Sequence, residues 1–317
     1  MSQLTVSMPL GDLPLSRGTL DRAAHRRSEP DLVANLLADP ATRVAVIVAE
    51  SMEVVPDGGL AVRPPSTDDR HRLAFFLGED VEEDPGTGRV AYLAVVGDPT
   101  EAGHGDWETL RNAGERLSAR DAGIFTTTQA LANWHAAHQF CPRCGAPTTP
   151  EQAGWIRRCG RDGTEHYPRT DPAVIMAVVD DDDRLLLGRN AQWPTGRFSV
   201  LAGFVEPGES FEAAVVREVD EEVGIAVTDV TYLGNQPWPF PSSDMIGFRA
   251  RATTTELRPD QVEMAEARWF TRDDYTQALR DKTIRTPSGI SIAQRLIEHW
   301  LGRRVADVID EDVAPWR

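Results

Sequence analysis

The sequence of 317 residues predicts an α+β protein made of three successive parts. Three observations support this prediction: strand-like runs in the first third, a Cys-x-x-Cys turn near the middle, and further strand-like runs that lead into one amphipathic acidic helix. They predict a mixed α/β N-terminal domain at residues 1–139, a small zinc ribbon at 140–168, a C-terminal domain at 169–304, and a tail at 305–317.

Composition limits the kinds of function. The net charge of -17 and the pI near 4.8 disfavour a broad basic surface for nucleic acid or anionic membrane. Three cysteines, two of them in one Cys-x-x-Cys turn, indicate metal ligation in a reducing compartment rather than a disulfide framework. We expect a cytoplasmic protein without a membrane segment, because long apolar runs and a signal-peptide pattern are missing from the sequence.

The first part has the pattern of a small mixed sheet. Residues 1–30 contain few periodic apolar positions, so we expect little order there. Strands are predicted at 43–49, 73–77 and 89–96, and a helix at 127–138. His71 and His104 are isolated, and a lone histidine is more often structural or solvent-exposed than a ligand. This part therefore shows no chemical motif.

The second part resembles half of a zinc knuckle followed by an altered half. Cys141 and Cys144 form a Cys-x-x-Cys turn, and the glycine after Cys144 lets backbone amides point back at sulfur. Cys159 begins the second half, where Asp162 stands at the position of a fourth cysteine and His166 is a less well-spaced substitute. A structural zinc site needs four donors, so we predict zinc on Cys141, Cys144, Cys159 and Asp162. The alternative is a ribbon that keeps its fold without metal.

The third part begins with a predicted buried hairpin of strands 173–179 and 184–188, and a strand at 198–203 then leads to the acidic helix. Ser210 is the expected N-cap of this helix and Gly224 its C-cap. Further strands are predicted at 231–233 and 245–252, and a last helix at 290–301.

The acidic helix brings carboxylates to one stripe. Glu218 and Glu222 lie one turn apart and Glu221 lies beside them, while the expected apolar stripe consists of Val215, Val216, Val219 and Val223. Clustered carboxylates repel one another unless cations lie between them, and hard oxygen donors favour Mg²⁺ or Mn²⁺. The alternative is an ordinary solvated acidic face.

A proline-rich segment presents two aromatic residues. Alternating prolines keep the segment extended and rigid, so its aromatic rings could sandwich a flat heterocycle while its polar side chains bind phosphate or ribose. The candidate binding residues are Gln236, Pro237, Trp238, Pro239, Phe240, Pro241, Ser242 and Ser243. The alternative is a stiff loop that packs its own aromatic rings into a core.

Two motifs together resemble a known family. The spacing from Gly203 through Glu209, Arg217-Glu218-Val219 and Glu221-Glu222 to Gly224-Ile225 matches the signature of the Nudix hydrolases. The proline-rich array and the ribbon resemble the NADH pyrophosphatase branch, over residues 126–300. Asn235 replaces a common serine of that branch, and Asp162 replaces the last ribbon cysteine. The resemblance implies an α/β/α sandwich with a mixed sheet for residues 169–304.

The resemblance also implies a reaction, the hydrolysis of the pyrophosphate bond of NADH or NAD to nicotinamide mononucleotide and AMP. It implies that the metal ligands are Glu218, Glu222 and the Ala202 carbonyl, with Glu221 and Glu263 sharing ligation and the handling of water. It pairs Arg217 with Glu209 in support. Phe204 and Tyr167 would stack on the bases and Ala293 would approach the substrate, with Tyr167 acting across a homodimer interface.

Three alternatives stay open at this point. The same bond could be cleaved in RNA that carries a 5′ NAD cap, for which a local basic path is available in Arg157, Arg158, Arg161 and Arg169. Another nucleoside diphosphate derivative could be the substrate. A non-catalytic nucleotide sensor is the alternative outside enzymes.

Overall fold

The computed structural model describes residues 9–81, 89–103 and 105–308. The chain divides into two compact units. The N-terminal unit contains Arg17–Thr170 together with Trp238–Ser242, and the C-terminal unit contains the described residues up to Ser16, Asp171–Pro237 and those from Ser243 onward. Among the described helices, none has the length and apolar character needed to cross a membrane. His104 lies outside the described residues.

A six-stranded mixed sheet forms the centre of the N-terminal unit. Its strands are β1 (Arg43–Val48), β2 (Ser51–Glu53), β3 (Val62–Arg63), β4 (Ala74–Val81), β5 (Arg89–Val96) and β6 (Trp107–Thr109). The order is β4-β5-β1-β2-β6, with β3 paired to β1. Strands β1 and β5 are parallel, whereas β4 is antiparallel to β5. The three strands predicted from the sequence are β1, β4 and β5, so the expectation of a mixed sheet is confirmed.

The helices of this unit are α1 (Leu32–Ala38), α2 (Leu110–Ala113) and α3 (Ala119–Ala137). The predicted helix at 127–138 is α3, but its predicted start was wrong by two turns. Ser118 caps the true start, because its hydroxyl accepts the N–H of Asp121. The first turns of α3 are buried too, with Ala122, Ile124 and Phe125 inaccessible to solvent. A helix buried on several sides has little periodicity for the sequence to reveal.

The expectation of little order near the N-terminus is wrong for residues 9–30. Leu13 and Leu15 are 4% and 3% exposed, and Leu13 packs in the main core of the C-terminal unit. In the N-terminal unit, Asp21 and Glu79 exchange backbone hydrogen bonds of 2.9 and 2.8 Å. Ala23 is also buried. The few apolar residues of this segment are thus buried individually and do not form a periodic apolar face.

The ribbon is a small antiparallel sheet of β7 (Thr148–Glu151), β8 (Ile156–Cys159) and β9 (Glu165–His166). Its buried side chains are few, with Cys141, Ala146 and Cys159 forming a separate small cluster. A core of this size gives little hydrophobic stabilisation, which is the usual reason why such ribbons rely on a metal.

The C-terminal unit contains β10 (Asp171–Val179), β11 (Leu185–Asn190), β12 (Leu201–Phe204), β13 (Val227–Trp238), β14 (Ser243–Ala252) and β15 (Met264–Phe270). The order is β13-β14-β10-β11-β15, with β12 also on β10. Strands β10 and β14 are parallel, and β10 is antiparallel to β11, which confirms the predicted hairpin. The helices are α4 (Phe211–Val223), α5 (Arg272–Arg280) and α6 (Ile292–Leu301).

Alternate residues of β10 face two different cores. Val174, Met176 and Val178 pack with the apolar side of α4. Ile175, Ala177 and Val179 pack with α6 on the other face of the sheet. The mixed sheet therefore lies between helices, and the expected α/β/α sandwich is confirmed. The predicted tail at 305–317 contributes Val305 and Val308 to the same core as α6.

Candidate active site

Helix α4 is held in place by its caps and its buried face. The Ser210 hydroxyl accepts the N–H of Ala213 at 3.2 Å, and Gly224 ends the helix with φ 69°. Both predicted caps are confirmed. Val215, Val219 and Val223 are fully buried, but Val216 is 42% exposed and does not belong to the apolar stripe. Val216 follows Val215 by one residue, which turns its side chain about 100° around the helix.

The exposed edge of α4 forms one wall of a cleft of about 670 Å³ within the C-terminal unit. Three strands and the segment before β15 provide the rest. The lining residues are Ala173, Ala202, Gly203, Phe204, Glu206, Arg217, Glu218, Glu221, Glu222, Ser243, Met245, Asp260 and Glu263. The cleft thus contains every glutamate selected from the sequence except Glu209. The sequence interpretation missed Asp260, although an aspartate three residues before Glu263 is a recognisable turn signal.

Gly203 lies directly under the carboxylate of Glu218. It pairs with Val174 of the central strand, so its position is fixed by the sheet. A Cβ atom at this position would overlap the carboxyl carbon and both oxygens of Glu218. Glycine therefore lets the Glu218 carboxylate approach β12 closely, and a larger residue here would displace that carboxylate.

Arg217 joins the loop before α4 to the acidic stripe. Its guanidinium donates two hydrogen bonds to Glu209, of 2.6 and 3.1 Å, so the expected ion pair is present. It also donates to Glu218 at 2.9 Å, to Glu221 at 3.0 Å and to the carbonyl of Phe204 at 3.0 Å. The hydrogen bonds to Glu209 raise the pKa of Arg217, and the same bonds lower the pKa of Glu209. Arg217 thus fixes the loop and two cleft carboxylates at once.

Glu222 is the cleft carboxylate whose ionised form is most strongly disfavoured. It is 8% exposed, and its Oε2 atom is buried without a hydrogen-bond partner. Burial, followed by repulsion from Glu218, Glu263 and Asp260, raises the pKa of Glu222 to about 8. Burial also raises the pKa of Glu218. An ionised Glu222 is therefore costly in the protein alone.

These residues fit a divalent cation. The orphaned Oε2 of Glu222 and the crowding of Glu218 and Glu263 are what a cation would relieve, and all the donors are hard oxygen atoms. Ala202, whose carbonyl is a further candidate donor, lines the same cleft. The exposed Glu221, with 61% of its side chain accessible, could complete the set.

Of the other residues selected for substrate binding, some line the cleft and others lie elsewhere in the structure. Phe204 lines the cleft and is 61% exposed, as expected for a stacking residue. Tyr167 belongs to the N-terminal unit, is 62% exposed, and donates its hydroxyl hydrogen to Glu165 at 2.7 Å. Ala293 is 3% exposed inside the core at the start of α6, where its N–H is bound by the hydroxyl of Ser291. The side chain of Ala293 therefore serves packing in this structure.

Within the proline-rich segment, too, some residues line the cleft and others do not. Gln236 is fully buried, its amide donating to the carbonyl of Ile290 at 2.9 Å and accepting the N–H of Leu15 at 3.4 Å. Both ends of this amide are used inside the C-terminal unit, so the geometry favours a structural role over the predicted contact with phosphate or ribose. Ser243, by contrast, lines the cleft.

Trp238 and Phe240 pack within the N-terminal unit. Their rings meet edge to face with centroids 4.8 Å apart, and the Arg111 guanidinium lies 3.8 Å from the Phe240 centroid. Asn133 of α3 donates to the carbonyls of Pro239 and Pro241, at 3.0 and 3.1 Å. No sequence signal pointed to Arg111 or Asn133, because both contacts are distant along the chain.

The ribbon contains two turns of the same shape. Cys144 is followed by Gly145 and Asp162 by Gly163, and both glycines have φ 71°. The N–H of Gly145 bonds to the Cys141 carbonyl and that of Gly163 to the Cys159 carbonyl. Donor atoms of Cys141, Cys144, Cys159 and Asp162 all lie within 4.8 Å of one another. Asp162 thus occupies the place of a fourth cysteine in space as well as in sequence, and His166 is outside this group.

Two of the ribbon arginines proposed for a basic path are engaged within the protein. Arg157 is 7% exposed, and its guanidinium donates to Thr148 and to His135 Nδ1. Arg158 forms ion pairs with Glu151 and Glu165, and Arg161 donates to the Cys144 carbonyl. Burial of Arg157 and the ion pairs of Arg158 leave these two guanidiniums little capacity for phosphate.

Sequence profiles of three families match successive parts of this chain. The NADH pyrophosphatase-like rudimentary NUDIX domain matches residues 38–134, the NADH pyrophosphatase zinc ribbon domain 136–167, and the NUDIX domain 169–288. The chain belongs to the Nudix hydrolase family. Within that family its three-part arrangement is of the NADH pyrophosphatase type.

Relatives of this Nudix chain include proteins named for RNA caps. It is 46% identical over 200 residues to the NAD-capped RNA hydrolase NudC of Mycobacterium bovis, covering 60% of this chain and 64% of that protein. It is 42% identical over 257 residues to an NAD-capped RNA hydrolase of Macaca fascicularis, covering 73% of this chain and 54% of that protein. The chain thus spans less than two thirds of these relatives. A Nudix hydrolase structure from Nitrosomonas europaea is 21% identical with a TM-score of 0.41, covering 52% of this chain and 94% of that one.

Proposed function

We propose that this chain hydrolyses the pyrophosphate bond of NADH or NAD, releasing nicotinamide mononucleotide and AMP. The observation that carries the proposal is Glu222, a nearly buried carboxylate whose Oε2 lacks a partner beside Glu218 and Glu263. A dinucleotide pyrophosphate carries two negative charges, so an acidic cleft binds it through cations. The profile matches to the NADH pyrophosphatase type support a dinucleotide as the substrate.

Glu218 and Glu222 hold Mg²⁺ or Mn²⁺ in this proposal, together with the Ala202 carbonyl. A bound divalent cation neutralises phosphate charge and makes water a better nucleophile at neutral pH. Glu221 and Glu263 share the remaining ligation and the orientation and deprotonation of the attacking water, because both carboxylates line the cleft. Arg217 keeps Glu218 and Glu221 in place through its hydrogen bonds.

Aromatic residues outside the carboxylate group recognise the rest of the substrate. Phe204 stacks on a base at the cleft, and Ser243 donates to phosphate or ribose. Pro237, Pro239, Pro241 and Ser242 shape the segment that carries Trp238 and Phe240. Tyr167, exposed on the N-terminal unit, reaches the site of a second copy in a homodimer. Tyr167→Ala should then raise KM without changing kcat, and sedimentation should report a dimer.

Product analysis tests the reaction. The purified chain with Mg²⁺ or Mn²⁺ should release AMP from NADH and NAD faster than from ADP-ribose or diadenosine polyphosphates. Glu222→Gln should abolish release, since a neutral amide cannot replace the anionic ligand. If the chain binds NADH but forms no AMP, the sensor alternative is correct. If Trp238→Ala and Phe240→Ala leave NADH cleavage unchanged, a different Nudix substrate is indicated.

NAD-capped RNA is the second candidate substrate, because the relatives at 46% and 42% identity are named NAD-capped RNA hydrolases. The same bond would be cleaved. The charge of -17 and the paired ribbon arginines predict weak contact with the RNA chain, hence a shallow dependence of cleavage on salt. Turnover of NADH, NAD and NAD-capped RNA in one buffer separates the candidates. A comparable rate on uncapped triphosphate RNA would contradict both.

The ribbon holds one structural zinc ion in this proposal, on Cys141, Cys144, Cys159 and Asp162. The support is the donor geometry, in which three sulfur atoms and one carboxylate oxygen lie within 4.8 Å of one another. Elemental analysis of the purified chain should find about one zinc per chain. An absence of zinc in protein purified without chelator would favour the metal-free ribbon.

A further inference from the structure

The segment that carries Glu263 depends on one side chain. Glu263 lies in the segment between β14 and β15, one residue before β15 begins, and residues 260–263 are all exposed. An exposed loop does not by itself hold a carboxylate at a fixed point. Something must therefore set the distance between Glu263 and the two glutamates of α4.

Asp260 forms the required connection on the Glu263 side. Its Oδ1 atom accepts the N–H groups of Val262, Glu263 and Met264, at 3.1, 3.1 and 2.8 Å. Its Oδ2 atom is 3.3 Å from the N–H of Glu263. One carboxylate thus binds three successive amides and closes the turn in which Gln261 has φ 64°.

Asp260 is also joined to α4. Its own N–H donates to the carbonyl of Glu222 at 3.1 Å, and the N–H of Arg258 donates to the carbonyl of Val223 at 2.8 Å. These bonds attach the segment to the last turn of the helix. On the far side, the Glu263 carbonyl accepts the N–H of Ala191 at 2.8 Å, next to the irregularity of β11 at Asn190.

We propose that Asp260 is a positioning residue that sets Glu263 against Glu218 and Glu222 and so determines the affinity of the cleft for a divalent cation. The inference rests on the proposed function of the cleft. It assigns to Asp260 the hydrogen bonds rather than the charge, since Oδ1 accepts three successive N–H groups and thereby fixes the backbone at Glu263.

Two substitutions separate these roles. Asp260→Asn keeps an oxygen that can accept the three N–H groups but removes the charge, whereas Asp260→Ala removes both. Mn²⁺ binding to the full chain, followed by titration calorimetry without substrate, is the measurement. Supporting groups around a metal typically contribute 10- to 100-fold in affinity, so we expect Asp260→Ala to weaken Mn²⁺ binding by about tenfold or more. Asp260→Asn should stay within about threefold of wild type.

A double-mutant cycle tests whether the effect passes through Glu263. In a Glu263→Gln background the carboxylate to be positioned is gone, so Asp260→Ala should weaken Mn²⁺ binding by less than about twofold. Glu256→Ala, which removes an exposed carboxylate earlier in the same loop, is the matched control and should leave Mn²⁺ binding unchanged. Circular dichroism and urea midpoints verify that each variant is folded.

Two outcomes would overturn the inference. Equal losses in Asp260→Asn and Asp260→Ala would show that the charge of Asp260, and not its hydrogen bonds, determines the affinity for the cation. An undiminished loss in the Glu263→Gln background would show that Asp260 acts by another route. Because binding is measured without substrate, these results do not depend on NADH cleavage; a wild-type chain that binds Mn²⁺ but leaves NADH intact contradicts the proposed function alone.

Discussion

Replacing Glu222 by glutamine should stabilise the protein when the cleft holds no divalent cation. The pKa of Glu222 is raised from 4.5 to about 8, mainly by burial and then by its acidic neighbours. Between these two values the folded chain keeps a proton that the unfolded chain has released. The contribution of Glu222 to stability is therefore fully present below pH 4.5 and is lost as the pH rises through 8. Glutamine carries no charge at any of these pH values.

The size of the expected stability difference follows from the pKa shift of Glu222. Each pKa unit corresponds to about 1.4 kcal/mol, so a change from 4.5 to about 8 amounts to about 5 kcal/mol at pH 8 and above. Relaxation of Glu218 and Glu263 absorbs part of this cost. We expect Glu222→Gln to be about 2–5 kcal/mol more stable than wild type at pH 8, and nearly equal to it at pH 4.5.

Urea denaturation of protein dialysed against buffer without Mg²⁺ or Mn²⁺ measures the difference. Glu221→Gln is the matched control, because its side chain is 61% exposed on the same helix and its replacement should change stability by less than about 0.5 kcal/mol. Adding Mn²⁺ should reverse the order, since wild type gains binding free energy that the variant lacks. A metal-free Glu222→Gln variant no more stable than wild type at pH 8 would refute the account of a strained carboxylate.

Three further predictions follow from local geometry. Gly203→Ala should lower AMP release by at least about tenfold while the chain stays folded, because the new methyl group displaces the Glu218 carboxylate; wild-type turnover in a folded variant would contradict the overlap. Burial lowers the pKa of His135 to about 4, so the unfolded chain takes up a proton first as the pH falls below 6.5. The free energy of unfolding should then drop by up to about 3 kcal/mol between pH 6.5 and 4, and His135→Gln should remove this share of the urea-measured loss. Asp162→Ala should lose zinc by elemental analysis whereas Asp162→Cys should retain it, and equal zinc in all three proteins would exclude Asp162 as a ligand.

Local patterns were sufficient for the acidic helix and the ribbon turns. The caps Ser210 and Gly224, and the stripe of Glu218 and Glu222, depend on residues within one or two turns of each other. The two halves of the ribbon likewise follow from short spacing between donors. Such features are set by backbone geometry that each segment has on its own.

Predictions failed where burial depends on the neighbours of a segment. Val216 was expected in the apolar stripe but faces solvent, because helix α4 buries a narrower face than its valines suggested. The start of α3 was missed, since a helix buried on several sides shows little periodicity. The contact of Arg111 with Trp238 and Phe240 was not foreseen either, because no local pattern indicates it, and the binding role of the two rings stays a prediction.

The sequence by itself determined which acidic side chains share one side of a helix, because the spacing of Glu218, Glu221 and Glu222 is a property of helical geometry. Only the tertiary structure decided how these charges behave. The packing of α4 on the sheet buries Glu222, and the turn at Asp260 brings Glu263 beside it. Charge repulsion and the loss of water depend on distances across the fold, and those distances are fixed by packing between segments that are far apart in the chain.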